Sequence, residues 1–577
     1  MGERIYSGCE KVFEAKKFNN LKEMINNTKV EFGSDIAFKF KADNSDEITT
    51  MSYNDYIDEI NALGTALISI GLKDKRIGVI SENRYEWEED YLSIVCGTGI
   101  VVPLDKSLPE NEILSLIERS EMEAIFYSSK YNEIMKKAKD EEIGKVKFFI
   151  SMDLEEKTED IYSQKELVKL GKDLIKNGAR SYLDAEINNN EMAVMLFTSG
   201  TTSQSKAVKL SHANICANIY DISCTFDVTK EDTFLSFLPL HHVFECTVGF
   251  LYPVSVGATI GFCKGIRHIA ENLKDYKASA MIAVPVLFDN MYKKVMQSIE
   301  KKGKLKTVKF GIKLSKVAKF FGIDIRRKLF KEVLESLGGK LRLFVAGGAA
   351  FDPETEKGLN ELGIETYQGY GLTETAPVIA AEHPTCRKIG SIGKTFPSLE
   401  TKIIEPDEMG IGELAVRGPS VMLGYYGETE KSVSEDGWFN TGDLAYIDKD
   451  GFIFITGRKK SVIVLKNGKN VYPEEIETLI NKIPGVKESF IYGKPEKDDP
   501  VDLKICTKIV YDKEKIKEEY NTEDLEEIKK ILWNKVKEIN KTMPTYKYVK
   551  EMILTEEELI KTTTLKIKRF EEIKKVL

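Results

Sequence analysis

Residues 196–208 read LFTSGTTSQSKAV: a short apolar run, then hydroxyl side chains around one glycine, then a lysine and a second apolar pair. The spacing predicts a buried strand that runs into a loop. Such a loop offers a polyphosphate many backbone N–H and hydroxyl donors and one cation. The GK[ST] ending of a Walker A loop is missing, so the stretch is not that motif. Taken alone, a turn rich in Ser, Thr and Gly is more often only a turn.

Two further stretches change that balance. Residues 368–375, QGYGLTET, set an aromatic ring between glycines and then place Thr373 and Glu374: a face for a base, a phosphate donor and a metal-binding carboxylate. Residues 440–443, NTGD, end a turn on Asp443, whose carboxylate could accept both hydroxyls of a ribose, and Arg458 follows in TGRKK, 456–460.

Working outward, apolar runs rich in β-branched residues are expected as strands at 76–80, 99–104, 124–127, 192–197, 233–239, 281–286 and 341–345, alternating with amphipathic stretches. That alternation implies an α/β fold with largely parallel sheets. A chain of 577 residues exceeds what one hydrophobic core usually holds, so more than one domain is expected. Composition shifts after Gly457: a helix is expected near Pro473, a strand after Pro484 and Gly485, a charged helix over 521–541 and a strand over 548–554. The boundary is expected at 458–460.

Hydrophobic residues make up 42% and charged residues 31%, an ordinary globular composition, and the net charge of −8 argues against a nucleic-acid-binding surface spread over the whole protein. The eight cysteines form no CxxC pair and no zinc-spaced Cys/His cluster, which fits a reduced, cytoplasmic protein. Residues 1–30 lack the apolar core of a signal peptide. Residues 234–262 are long and mostly apolar, yet they contain Pro239, His241, His242, Glu245 and Pro253, so a buried helix between strands is expected rather than a membrane span.

One segment opposes the acidic balance. Over 293–331, fourteen lysines and arginines face only Glu300 and Asp324, with Val317, Phe320 and Phe321 among them. This reads as a basic amphipathic helical segment. A solvated face is the plain reading; docking on an anionic membrane, as at the inner membrane surface, or attraction of a cofactor's phosphates are the others.

Taken together and in this order, the stretches resemble the adenylate-forming superfamily, which includes acyl-CoA synthetases, firefly luciferase and peptide-synthetase adenylation domains. The matching motifs extend from about Ser52 to Arg569. FLPLHHVFECTVGFL from Phe237, GRKKSVIVLKNGKNVYPEEIE from Gly457 and KTTTLKIKR from Lys561 are similar to bacterial long-chain fatty acyl-CoA synthetases. The resemblance implies a large N-terminal α/β domain of several subdomains (1–459) with the ATP and acyl sites, and a small mobile α+β C-terminal domain (460–577). It implies fatty acid, MgATP and CoA as the partners, with acyl-AMP as intermediate.

It also implies roles. Lys566 would bridge the carboxylate and the α-phosphate, Glu374 would hold magnesium beside Thr373, and His242 would lie near the substrate carboxylate. Thr198, Ser199, Gly200, Thr201, Thr202 and Lys206 would grip the pyrophosphate. Tyr370, between Gly369 and Gly371, would stack on adenine, with Gly347, Gly348 and Ala349 beside it, and Asp443 and Arg458 would hold the ribose. Lys460 would be the hinge, and Lys466, Asn467, Gly468 and Lys469 would meet the pantetheine arm of CoA; a β-turn on Asn467-Gly468 is the plainer reading of that loop. A lone histidine in an apolar run is more often a core residue, and a lysine near a charged terminus is usually solvated.

The sequence departs from the family pattern at Ser203, Ser205 and Ala207, where Gly, Pro and Gly are common, and at Leu565, where a Gly often precedes the catalytic lysine. Loop rigidity and backbone angles are at issue there, since serine tolerates positive φ less well than glycine. Three rivals remain. Glu245 stands about where amino-acid-activating relatives keep an acidic partner for the substrate ammonium, although no carrier-protein domain follows in the chain. An enzyme that loads a carrier protein is the second, and a catalytically silent lipid-binding relative the third.

Overall fold

The computed structural model describes residues 4–41, 45, 47–198, 205–466, 469–496, 503–561 and 567–577. Two sheets are dominated by parallel strands. In the eight-stranded sheet, Lys75–Ile80 lies between Gly99–Pro103 and Ala124–Tyr127, parallel to both. Met192–Thr198 joins parallel to Gly99–Pro103 and then pairs antiparallel with Lys206–Ser211, Thr198 directly opposite Lys206. In the nine-stranded sheet, Thr259–Phe262, Thr233–Ser236, Ala280–Ala283, Leu343–Ala346 and Glu365–Gly371 lie side by side and parallel. Their near-continuous burial is what parallel strands covered on both faces require.

A third sheet of five strands, Ile5–Ser7, Glu400–Ile404, Gly412–Arg417, Trp438–Ile447 and Ile453–Arg458, is antiparallel throughout. After Arg458 the chain forms a smaller α+β unit: Val486–Pro495, Leu503–Tyr511 and Glu551–Thr555 in one sheet, with helices Pro473–Ile480 and Leu525–Asn540. The architecture is thus mixed α/β with a large N-terminal part and a smaller C-terminal part.

Two expected strands end early. The run 281–286 stops at Ala283 because Pro285 opens helix Pro285–Lys301, where a missing N–H costs nothing. The run 233–239 stops at Ser236, and Pro239 instead accepts the backbone N–H of His242. Beyond it, 234–262 becomes a π-helical turn Glu245–Leu251, helix Tyr252–Ser255 and strand Thr259–Phe262. Among the described residues no helix is long and apolar enough to cross a membrane.

The basic segment is not one helix. It is built as Pro285–Lys301, Leu305–Phe320, Arg326–Leu329 and Lys331–Glu335, broken where Gly303 and Gly322 take left-handed φ of +66° and +78°. The four helices form the crossover between the parallel neighbours Ala280–Ala283 and Leu343–Ala346.

The C-terminal sheet clamps the chain on both sides of 562–566. Lys508 Nζ and Glu572 Oε2 form a buried ion pair at 2.8 Å, and Glu572 Oε1 accepts the N–H of Ile560. Glu488 accepts the N–H of Leu559 and pairs with Lys561, which forms an antiparallel bridge with Ile567. Burying Lys508, Glu572 and Glu488 here is tolerated because they face cations, carboxylates and backbone donors.

Candidate functional site

The loop expected to hold phosphate starts and ends on a cross-strand pair. Thr198 and Lys206 sit opposite each other, and Ser199, Gly200, Thr201 and Thr202 lie outside the described residues, as does Ser203. The two departures of this loop that are described, Ala207 and Ser205, are accommodated without strain. Ala207 is a paired strand residue opposite Phe197 and needs no left-handed φ, which corrects the expectation of a backbone problem at that position. Ser205 is held by Arg119, whose Nη1 donates to its Oγ at 3.0 Å and Nη2 to its carbonyl at 2.5 Å.

Around Lys206 stands a compact set of groups that the sequence motifs did not join. Its ammonium is 2.8 Å from Glu428 Oε1 and 4.4 Å from the centre of the Tyr425 ring. Tyr425 pairs with Val208 across strand Lys206–Ser211 and donates its hydroxyl to Glu374 Oε1 at 2.7 Å. Met422 donates its N–H to the Glu374 carbonyl at 2.9 Å. Tyr425 therefore joins the two groups expected to face the phosphates, Lys206 and Glu374. It was missed because GYYG at 424–427 reads as a turn; an aromatic pair flanked by glycines was the available signal.

A second set lies where two sheets meet. Tyr370 donates its hydroxyl to Asp443 Oδ2 at 2.7 Å, and Arg458 Nε is 3.1 Å from Asp443 Oδ1, these two residues being direct cross-strand partners. The Asp443 carboxylate is 5% exposed as a residue and has a partner on each oxygen. Asp443 is thus already partnered inside the protein; since each carboxylate oxygen can accept a further hydrogen bond, a ribose would join or displace these partners. Burial, then Asp443, lifts the Tyr370 hydroxyl well above the usual phenol range, so it remains a donor. Glu413 links this set to the next segment, accepting the N–H of Gly442 at 3.2 Å and pairing with Lys459 at 2.7 Å.

The third set surrounds His242. The N–H of Phe244 donates to its Nδ1 at 3.2 Å, which in a neutral ring leaves the proton on Nε2. Gly347 follows strand Leu343–Ala346, and a Cβ there would stand 2.9 Å from the Phe244 ring. Gly348 has φ +84°, the left-handed region that favours glycine. Phe244 thus links His242, through its N–H, to Gly347, beside which its ring stands, and HVFE gave no spacing signal for that link. At Gly371 a Cβ would meet the Pro377 carbonyl at 1.9 Å, which holds the short helical turn Thr373–Thr375 close behind Tyr370.

All three sets gather at the carboxyl ends of strands Leu343–Ala346 and Glu365–Gly371, neighbours in one parallel sheet, where open α/β sheets bind ligands. The remaining expected residues lie elsewhere along the chain. Lys460 is in the turn Lys459–Ser461, and Lys466 and Lys469 flank the end of the hairpin Ile463–Val464 and Asn470–Val471, with Lys469 4.5 Å from the Tyr546 ring centre. Asn467, Gly468 and Lys566 lie outside the described residues, as does Leu565. Among the described residues no three His, Cys, Asp or Glu stand together as a metal site. A single carboxylate, Glu374, suits magnesium, which usually takes one or two carboxylates and fills its shell from phosphate and water.

Comparison with known proteins bears on this geometry. A family model described as AMP-binding enzyme matches residues 27–426, and one described as AMP-binding enzyme C-terminal domain matches residues 460–575. Fatty acyl-CoA synthetase B of Dictyostelium discoideum is 30% identical over 480 residues, 78% of this chain and 70% of that protein. The chloroplastic long-chain-fatty-acid–[acyl-carrier-protein] ligase AEE15 of Arabidopsis thaliana is 26% identical over 518 residues, 77% of this chain and 71% of that protein. Among solved structures, an anthranilate CoA ligase in complex with anthranoyl-AMP superposes with a TM-score of 0.76 at 18% identity, covering 97% of this chain and 98% of that one; at that identity the likeness is one of fold.

Glu245 bears on the amino-acid reading. It lies in the π-helical turn, fully buried, and accepts the Ser236 hydroxyl at 2.7 Å, which itself accepts from Asn83 Nδ2 at 3.1 Å. Burial pushes its carboxyl up to about 8. A carboxyl so placed, buried and already bonded to Ser236, favours its neutral form and is poorly set out as the partner of a substrate ammonium, which counts against the amino-acid rival. Between the ordinary carboxylate range and about 8, the folded chain keeps this proton while the unfolded chain releases it. Stability contributed by Glu245 is therefore full at low pH and lost as pH rises. Glu245→Gln carries no such proton: urea unfolding from about pH 5 to about pH 8 should show a shallower fall in stability than wild type, with each unit of pKa shift worth about 1.4 kcal/mol. Equal slopes would contradict a protonated Glu245.

Proposed function

The chain belongs to the AMP-binding enzyme family, and on that premise we propose that it activates a long-chain fatty acid to acyl-CoA. In the first step a carboxylate oxygen attacks the α-phosphate of ATP, forming acyl-AMP and releasing pyrophosphate. In the second the thiol of CoA attacks the acyl carbon and AMP leaves. The first step is needed because hydroxide is a poor leaving group and AMP a good one.

The observation that carries this reading is the joining of Lys206, Tyr425 and Glu374, which follows Tyr370 closely in the chain, with Tyr370 in turn bonded to Asp443: a cation and a carboxylate beside the hydroxyl-rich loop, and a ring and a carboxylate suited to a nucleoside. Little covalent chemistry is asked of the protein. Catalysis of this kind is mainly positioning and charge neutralisation. Lys206 and the loop hydroxyls would take the pyrophosphate, Glu374 would hold magnesium, Tyr370 would lie along adenine and Asp443 with Arg458 would hold the ribose. Magnesium, when bound, would screen the phosphate charge that otherwise repels an incoming carboxylate. His242, with Nε2–H as its donor, would orient the acid. Segment 460–577 would turn about Lys460, presenting Lys566 for the first step and the loop at Lys466 and Lys469 for the second.

A carrier protein as acceptor is the second reading, favoured by the similarity to a long-chain-fatty-acid–[acyl-carrier-protein] ligase. One experiment separates these. The protein is given ATP, magnesium and either CoA or acyl carrier protein, with acids from acetate to oleate and several amino acids, and AMP is measured. Release with long-chain acids and CoA is expected; release only with acyl carrier protein favours the second reading, and none with any fatty acid overturns both and revives a silent lipid-binding protein.

Lys566 separates the half-reactions. Lys566→Ala should slow acyl-adenylate formation by about a hundredfold or more, the scale of losing one aligned charge at the transition state, while a supplied acyl-adenylate is still converted to thioester. Equal loss of both steps would show that the residue is not the adenylation lysine.

A further inference from the structure

Helix Leu305–Phe320 carries two apolar faces and only one of them is covered. Residues on a helix advance by roughly 100°. Its buried residues, Val308 and Ser315, lie on one side, where a Cβ at Gly311 would touch the Phe330 ring at 3.2 Å. Phe310, Leu314 and Val317 fall within roughly 60° of each other and roughly 150° from that buried side. Phe321 continues the stripe at the helix end. These are not grazing exposures: Phe310 is 68%, Val317 58% and Phe321 71% exposed, and Phe320, set edge-on to Phe321, is 85% exposed.

A stripe of this size on a soluble surface marks an interaction site, and its border says with what. Lys306, Lys309 and Lys313 run along one flank, and among the described residues none of them is in an ion pair. The chain as a whole is acidic, at −8, so this cationic face is a local feature set against the general charge. Apolar side chains bordered by lysines match the interface of a bilayer with anionic headgroups, where the rings enter the acyl boundary and the ammonium groups stay among phosphates. A second copy of the same stripe would bring like charges together across a two-fold contact.

We propose that this helix docks the protein on anionic phospholipid membranes, with Phe310, Leu314, Val317, Phe320 and Phe321 inserted and Lys306, Lys309 and Lys313 on the headgroups. The helix belongs to the crossover that ends in strand Leu343–Ala346, and Gly347 follows directly. The surface is independent of the acyl reading, because the groups that would bind lipid touch none of the site residues.

The test is vesicle flotation of the full chain without substrate, using phosphatidylcholine alone or phosphatidylcholine with phosphatidylglycerol, at low and high salt. Expected is binding to the anionic vesicles, weakened by salt and absent on phosphatidylcholine. Lys306→Gln/Lys309→Gln/Lys313→Gln should weaken partitioning by about a hundredfold, from about fivefold per charge. Phe310→Ser/Val317→Ser/Phe321→Ser should abolish it, with thermal unfolding and AMP release from a short soluble acid unchanged in both variants. Equal binding to both vesicle types, no binding, or variants that bind like wild type would overturn the proposal. So would dimerisation lost in the serine variant, which would assign the stripe to a second copy, or a raised KM for CoA in the glutamine variant without vesicle binding.

Discussion

The Asp443 carboxylate, held between the Tyr370 hydroxyl and the Arg458 guanidinium, is the contact on which the arrangement of the molecule turns. Tyr370 ends a strand of the nine-stranded sheet, and Asp443 and Arg458 face each other across the antiparallel sheet. One nearly buried charge therefore fixes two sheets at their seam. Arg458 is also the last residue before the turn Lys459–Ser461, and Lys459 is tied by Glu413 to Gly442, next to Asp443. In the proposed function, a nucleoside bound at Asp443 would act on this seam at the point where the C-terminal segment begins.

A second constraint is steric. Gly347, Gly348 and Gly371 stand where a side chain would strike Phe244, adopt a disfavoured φ or strike the Pro377 carbonyl. Removing side chains there lets two neighbouring strands end close together, with backbone rather than side chains lining the space. Glu245 complements this from the other side, since a buried carboxyl that keeps its proton can accept and donate hydrogen bonds without placing charge beside an apolar chain.

The parallel sheets were legible because runs such as 124–127 are apolar throughout, the mark of strands covered on both faces. The antiparallel sheet was not, because Glu400–Ile404 and Gly412–Arg417 mix charged and apolar residues and their pairing is a long-range matter. Pro285 cut a strand short for a reason visible only once the helix was known to start there. In the site, the motifs marked Lys206, Glu374, Tyr370, Asp443 and Arg458, but Tyr425, which joins Lys206 to Glu374, sits in a GYYG that reads as a turn, and Phe244, which links His242 to Gly347, in a stretch with no distinctive spacing. The lysines of the crossover were equally plain in the sequence. Which apolar residues among them face outward was not, since Val308 and Val317 differ only in what packs against them.

The central claim is that Asp443, held at the seam by Tyr370 and Arg458, is the group that binds the ribose. The most direct measurement is calorimetric titration of AMP into the wild-type chain and into Asp443→Asn, with thermal unfolding of both as a control. The account predicts at least about tenfold weaker AMP binding in the variant, the scale of a hydrogen bond to a charged group, with cooperative unfolding retained. Undiminished AMP binding by Asp443→Asn would contradict it.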